Sequence, residues 1–545
     1  MIPQRLKNSL RYRLNRLKSL VAGSVEHPDY VRATHYFGGG WALNFLQVVD
    51  SVSLKRDMAQ IVDDGFNTVI LVVPWRGLQI DHMVPAYDGF YLAQLKRCLA
   101  AADKAGLSVI VRLSYAHQIL DRQPLSGLTA IQRLLTDSET QSAWLDYLGR
   151  VNKVCIGHRC FWKSFISWEE FWHSFWRWQL YTPEYREQLA EEVGYNRFLD
   201  SLGLSNERRL PRPEEPDYNI FHQFMNARIR EMYLAARTRI PGLGMEIRVD
   251  MDRYEDGSGE VSWLESDNFT DLDVTRYTYW APFMGAENRG ELLSSDRALE
   301  LLAHSLHRMT RGGGHRDHIV DQFNFVDDAP KFHGIHARIE PDQVSQFLEG
   351  AVPLMRRESA GYGIWAYRDY RQNVLYNPRF RMGLDGWRLS RGGATPLKNG
   401  GLRLANNAVL RQTIPARVAG LQNAVPFDRF DFVARTARQG TSSGTLEVRL
   451  NSGAWFSLVP GAEGELEVSI PVPRPVVLED GIIIELRQSG AALSLDQLFL
   501  HHFVFRSGFR DEYNKPGNHH QQIVEFNKAL SAYSEPTMLQ ADQQD

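Results

Sequence analysis

The chain has 545 residues, 43% of them hydrophobic, and a formal net charge of -3. That length allows two or more domains around a large core, and the near-neutral balance removes any global attraction for nucleic acid. Three cysteines, Cys98, Cys155 and Cys160, show no Cys-x-x-Cys or Cys/His spacing, so neither a disulfide framework nor a zinc site is expected and buried thiols are.

From Gln4 to Val21 there are six Lys or Arg and no acid, while Leu6, Leu10, Leu14, Leu17 and Val21 recur at helical spacing. Residues 1–30 therefore read as a basic amphipathic helix. Arg5, Lys7, Arg11, Arg13, Arg16 and Lys18 suit an anionic membrane surface or a partner, and the apolar stripe equally suits packing across the bottom of a barrel. No apolar run approaches the ~20 residues of a membrane span, and the N-terminal stretch lacks the apolar core of a secretory signal. The expected location is cytoplasmic, with peripheral membrane contact left open.

Residues 31–372 alternate apolar strands with helical patterns. The strands read as Tyr36 to Phe45, Phe66 to Trp75, Leu107 to Tyr115, Cys160 to Trp168, Met245 to Met251, Leu272 to Tyr279, His318 to Phe325 and Tyr362 to Tyr367. A helix from Tyr91 to Ala105 ends at Gly106, as helix C-caps prefer. Eight such units predict a (β/α)8 barrel, whose active sites lie at the C-terminal ends of the strands. The excess length from Tyr181 to Asp217 reads as an insertion above that face.

Residues 373–506 change to short strands: Gly401 to Leu404, Val409 to Ile414, Phe430 to Ala434, Gly444 to Leu450, Glu465 to Ile470, Gly481 to Leu486 and Ala492 to His501. Separated by Gly, Asn and Pro turns and without helices, they predict an all-β, jelly-roll-like sandwich. Residues 507–545 read as a polar tail with one helix, His519 to Ala532, and a disordered end.

At the expected C-terminal strand ends the side chains are unusually polar: Asn44, Arg76, Arg112, His117, Glu169, Glu170, Arg248, Asp250, Asp252, Tyr277, Tyr279, Asp321, Gln322, Arg368 and Asp369. Arg248, Asp250 and Arg368 suit salt bridges between barrel layers. Of 13 Trp, five cluster at Trp162, Trp168, Trp172, Trp176 and Trp178, which suits either sugar-stacking faces or core filling.

Ser167-Trp168-Glu169-Glu170-Phe171 puts paired carboxylates at the end of strand four, a placement that suits proton transfer. Trp168-Glu169-Glu170 resembles the Trp-Asn-Glu of the clan A glycoside hydrolases, the superfamily of cellulases, β-mannanases and β-xylosidases, over roughly Gly38 to Tyr370. The resemblance makes Glu170 the general acid/base. It puts Glu169 where an Asn commonly binds the sugar 2-hydroxyl, and a like charge there would raise the pKa of Glu170.

The clan's nucleophile is a second Glu ending strand seven, but here Val320-Asp321-Gln322-Phe323 puts Gln322 in that slot. An amide cannot act as the nucleophile. Three readings remain: an inactivating change to Gln, substitution by another acid such as Asp321, Asp327 or Asp328, or a protein that is not a retaining hydrolase. Asn44, Trp75, Arg76, His117, Tyr277, Tyr279 and Trp365 resemble the clan's sugar-binding or orienting positions. The opening Asn377-Pro378-Arg379-Phe380 and the closing Leu495-Asp496-Gln497-Leu498 resemble jelly-roll carbohydrate-binding modules.

The resemblance implies a glycoside hydrolase-like enzyme acting on a polysaccharide or oligosaccharide without metal or organic cofactor. A barrel that binds glycan without cleaving it, and an enzyme that transfers sugar in an envelope polysaccharide pathway, are the alternatives.

Overall fold

The computed structural model describes residues 27–42, 44–47, 49–75, 79–81, 84–87, 89–114, 134–135, 137–167, 182–205, 207–212, 215–247, 275–288, 290–310, 318–325, 336–398, 400–415, 429–436, 444–460, 465–471 and 481–533. The amphipathic stretch from Gln4 to Val21 lies outside them. Among the described residues no helix is long and apolar enough to cross a membrane.

Eight parallel strands close into a barrel, each paired with its neighbours in chain order: β1 (Val31–His35), β2 (Thr68–Pro74), β3 (Ser108–Ser114), β4 (Phe161–Ile166), β5 (Gly244–Glu246), β6 (Arg276–Trp280), β7 (His318–Phe323) and β8 (Gly361–Ile364). β2 reads Thr-Val-Ile-Leu-Val-Val-Pro and is buried at every residue. A parallel strand flanked by the barrel interior and by helices has no wet face, so it is continuously apolar. The flanking helices are α1 (Ser51–Asp63), α2 (Gly89–Ala105), α3 (Ser138–Cys155), α4 (Pro183–Glu192), α5 (Tyr195–Ser201), α6 (Tyr218–Arg237), α7 (Ser295–Thr310) and α8 (Val344–Glu358). Their ends are written locally. The Asp50 carboxylate caps α1 by accepting from Ser53 N at 2.7 Å, and Gly106 follows α2 with φ +73°.

Strand one lies earlier than its expected span of Tyr36 to Phe45. That span is aromatic, but its three consecutive glycines break it, Gly38 at φ +57°, and it turns into a short helix at Phe45–Gln47. The expected insertion carries α4 and α5, pinned by Arg186, which donates to Leu210 O at 2.8 Å.

The C-terminal strands are β9 (Tyr370–Asn373), β10 (Arg388–Arg391), β11 (Ala394–Pro396), β12 (Leu402–Leu404), β13 (Val409–Ile414), β14 (Arg429–Thr436), β15 (Thr445–Leu450), β16 (Phe456–Ser457), β17 (Val459–Pro460), β18 (Glu465–Pro471), β19 (Ile482–Ser489) and β20 (Leu493–Phe505). They form two antiparallel sheets, one ordered β11-β12-β20-β14-β18-β17 with β9 also on β20, the other β10-β13-β19-β15-β16. Phe432, Leu495 and Leu500 from the first sheet share one core with Leu410, Val448 and Ile484 from the second.

Residues 507–533 are not a free tail. They return to the barrel, where α9 (His520–Ala532) packs on α8 and on the outer side of β7 and β8. The Phe526 ring lies 5.1 Å from that of Tyr362 and 6.1 Å from that of Phe323. Tyr362 Oη donates to Asn527 Oδ1 at 2.6 Å, and Asn527 Nδ2 donates to Asp64 O at 3.0 Å. α9 thus fills the place of the helix that follows strand eight in a regular barrel. The sandwich is spliced between that strand and its helix. The polar composition is deceptive because Asn527, Arg510 and His520 turn their polar groups to Asp64 rather than to water.

Candidate active site

Inside the barrel the lowest layer is an apolar plug of Val31, Ala33, Ile70, Ile110, Phe165, Tyr277 and Ile319. Phe165 and Tyr277 stack with ring centroids 3.8 Å apart. Burial, and after it the charge of Asp321, push the Tyr277 phenol far above its ordinary range, so it is a neutral packing group.

Above the plug lies a buried polar layer drawn from five strands. Arg112 on β3 donates through Nη2 to Ser167 Oγ at 2.7 Å and to Glu246 Oε1 at 3.3 Å, while Ser167 Oγ donates to Glu246 Oε2 at 2.6 Å. The other guanidinium nitrogen, Nη1, stands 3.7 Å from Asp321 Oδ2 on β7. His35, which ends β1, completes the layer. Its Nε2 is 3.6 Å from Asp321 Oδ2, and its Nδ1 lies 3.1 Å from Ile364 O. A carbonyl only accepts, so Nδ1 carries the hydrogen and Nε2 faces the carboxylate.

A register shift brings Asp321 here. Ile319 pairs with Tyr277 but Gln322 pairs with Tyr279, so Val320 and Asp321 stand against the single residue Thr278. Such a bulge re-aims side chains beside a site. Gln322 is 7% exposed, and its Nε2 has no hydrogen-bond partner among the described residues.

Trp365 covers the layer from the end of β8. Its ring lies 4.8 Å from His35 and 5.7 Å from the Arg112 guanidinium carbon, and its Nε1 donates to Tyr370 Oη at 2.9 Å. The Trp365-Ala366 peptide is cis.

Of the residues expected from sequence, Asp321, Gln322, Tyr279 and Trp365 gather at the C-terminal ends of β6, β7 and β8. Tyr277 is sealed in the plug below. Trp75 is fully buried and stacked on Tyr147 at 5.9 Å, in the layer between strands and helices, so it packs rather than binds. Asn44 sits at the seam with the sandwich, where its Oδ1 accepts from Asn373 N at 3.1 Å. Glu169, Glu170, Trp168, Arg76, His117, Asp327, Asp328, Arg248, Asp250 and Asp252 lie outside the described residues. Arg368 does form a structural bridge, 2.6 Å to Asp57. The three cysteines are free and buried, and burial pushes the Cys98 thiol up to about 12.

His35 and Glu246 were missed. His35 fell just before the expected first strand. Glu246 was legible as the inward residue of Gly244-Met245-Glu246, since β4 and β5 pair Phe165 with Gly244 and put the next inward positions, Ser167 and Glu246, together.

No family model matches the chain, and no curated protein matches it. Among solved structures it is similar to a GH5_18 protein from Streptomyces cattleya in complex with Manb1-4GlcNAc, at 14% identity and TM-score 0.42, over 63% of this chain and 72% of that one. It is also similar to an exo-beta-1,4-mannosidase from Opitutaceae bacterium strain TAV5, at 15% identity and TM-score 0.40, over 63% and 53%. An endo-1,4-beta-mannanase from Rhizomucor miehei aligns at 10% identity and TM-score 0.39, over 63% and 87%. The barrel itself is established by its strand pairing.

Proposed function

We propose that the chain is a carbohydrate-active barrel of glycoside hydrolase type, taking a polysaccharide or oligosaccharide across the C-terminal mouth by carboxylate acid/base chemistry. The observation that carries this reading is the layer beneath Trp365. A flat indole of the kind that stacks on a sugar face stands over His35 and Arg112, whose neighbour is the Asp321 carboxylate, in a layer where the Gln322 amide donor has no partner among the described residues. Glu170 would protonate the leaving oxygen. Asp321, or Asp327 in its place, would attack the anomeric carbon or activate water, with Arg112 beside the Asp321 carboxylate.

The test is Glu170→Gln and Asp321→Asn, assayed for release of reducing ends from soluble glucans and mannans, with calorimetry of the same sugars. Acid/base and nucleophile roles require turnover to fall by roughly 10²-fold or more while Kd stays within about threefold. Unchanged turnover in either variant removes that residue from the mechanism.

A second reading, a barrel that binds glycan without cleaving it, is favoured by Gln322 in the slot of the clan's nucleophile. It requires that the unsubstituted protein show no turnover and that Trp365→Ala abolish binding.

A further inference from the structure

A cavity of about 260 Å³ lies at the C-terminal ends of β7 and β8, beneath the segment Arg506–His519 that leads from β20 to α9. Asn324 and Phe325 from the end of β7, Trp365 and Asp369 after β8, and Arg506 and Asn518 from the returning segment line it. We propose that this cavity is a subsite for one further, uncharged sugar ring of the same glycan, so that the returning C-terminal segment forms a wall of the substrate site. The inference rests on reading the mouth under Trp365 as a glycan site, and it adds a second position to that site.

Three features carry it. The first is contiguity: Trp365 belongs both to the cavity and to the cover over His35 and Arg112, so a chain of sugars can lie across the indole with one ring on each side. The second is size and character. The volume falls just under the ~300–1,000 Å³ of clefts that hold drug-sized ligands, which suits a single ring. Its lining opposes apolar Phe325 and Ile364 to amide, guanidinium and carboxylate groups, matching the apolar face and hydroxyl rim of a pyranose.

The third is charge. Among the described residues Asp369 and Asp511 line the cavity against the Arg506 guanidinium and the His519 ring, so a uronic acid would meet two carboxylates and a single guanidinium. Burial is also the main reason the Asp369 carboxyl rises to about 6.

The walls are preset, which spares a ligand the cost of ordering them. Asp369 Oδ1 accepts from Gly508 N at 2.9 Å. The carboxylate of Asp511 accepts from Tyr513 N at 2.9 Å and Lys515 N at 2.7 Å. At Gly508 an added Cβ would collide with the backbone of Arg368, so the segment seats directly on the backbone after β8.

The experiment is calorimetry of the full chain with cello- and manno-disaccharides and tetrasaccharides, and with tetragalacturonate. The unsubstituted protein is compared with Asn518→Trp, which fills the cavity from an exposed position, and with Arg506→Ala. The tetrasaccharide is expected to bind roughly tenfold or more tighter than the disaccharide, and Asn518→Trp to erase that gain at unchanged Tm. Arg506→Ala is expected to reduce the gain. A gain that survives Asn518→Trp, or no gain in the unsubstituted protein, overturns the subsite and leaves the mouth standing. Tetragalacturonate binding as tightly as the neutral tetrasaccharides overturns the charge selection. No binding of any of these sugars by the unsubstituted protein overturns the subsite and the glycan reading of the mouth together.

Discussion

Two buried ionic clusters use the same kinds of side chain and hold their carboxylates in different ways. On the flank, Asp64 receives Arg510 through two bonds of 2.9 and 2.6 Å and Tyr367 at 2.8 Å, while Asp57 receives Arg368 at 2.6 Å and Tyr36 at 2.9 Å. Arg56 also reaches Asp57 at 3.3 Å and His520 reaches Asp64 at 3.2 Å, so among the described residues two carboxylates meet three guanidiniums and an imidazole. In the barrel, Arg112 lies 3.3 Å from Glu246 and 3.7 Å from Asp321, with His35 Nε2 a further 3.6 Å contact for Asp321. Short direct ion pairs fix the flank, whereas the inner layer ties Arg112 to Glu246 partly through Ser167 and holds Asp321 at longer range.

The comparison breaks most visibly on the flank. Asp64→Ala leaves the Arg510 guanidinium buried without its carboxylate, which costs about 3–5 kcal/mol. The expected result is a large drop in urea midpoint and Tm. Removal of residues 507–545 goes further, since it strips α9 from Tyr362 and Phe323, and no soluble folded barrel is expected. A truncated chain that melts like the full one would mean that α9 is not part of the barrel. Asp321→Asn, by contrast, keeps shape and volume in the inner layer and is expected to change turnover far more than Tm.

A pair of tryptophans sharpens the same division. Trp75 is fully buried on Tyr147, whose hydroxyl donates to Val73 O, so Trp75→Ala is expected to cost about 3–5 kcal/mol and leave sugar affinity intact in whatever protein folds. Trp365 is partly exposed over the polar layer, so Trp365→Ala is expected to cost less stability and most of the sugar affinity. Equal effects of the two substitutions on Kd would dissolve the distinction between packing and binding.

These contrasts also show what the sequence could reveal. Val409–Ile414 forms a strand over its expected residues because one-sided burial writes a period of two. Barrel strands buried on both faces read as apolar runs without phase, so the first was displaced onto the aromatic stretch after it. The polar layer was half legible. Asp321 and Gln322 stood out by motif, but the bulge that re-aims Asp321 is a property of pairing between strands. The placement of α9 was illegible for the same reason, because Asn527 and Arg510 find partners more than 400 residues away in sequence at Asp64. No local pattern carries that information.

The smallest expected effect concerns Asp369, a carboxylate in neither cluster. Burial raises its pKa first, Asp511 and Glu512 add to the rise, and the Gly508 N–H and Arg506 oppose it, leaving it near 6 against an ordinary 3.8. The folded chain therefore holds this proton between about pH 4 and 6 while the unfolded chain has released it. With fewer protons bound when unfolded, stability falls as pH rises through that window and levels off above it. Asp369→Asn can keep the acceptor for Gly508 and has no proton to lose. The Tm of the variant relative to the unsubstituted protein should climb between pH 4 and 6 and then stay constant to pH 7. A difference flat across the whole range would mean that the carboxyl is solvated, and that Asp369 resembles neither the closed flank nor the guarded interior.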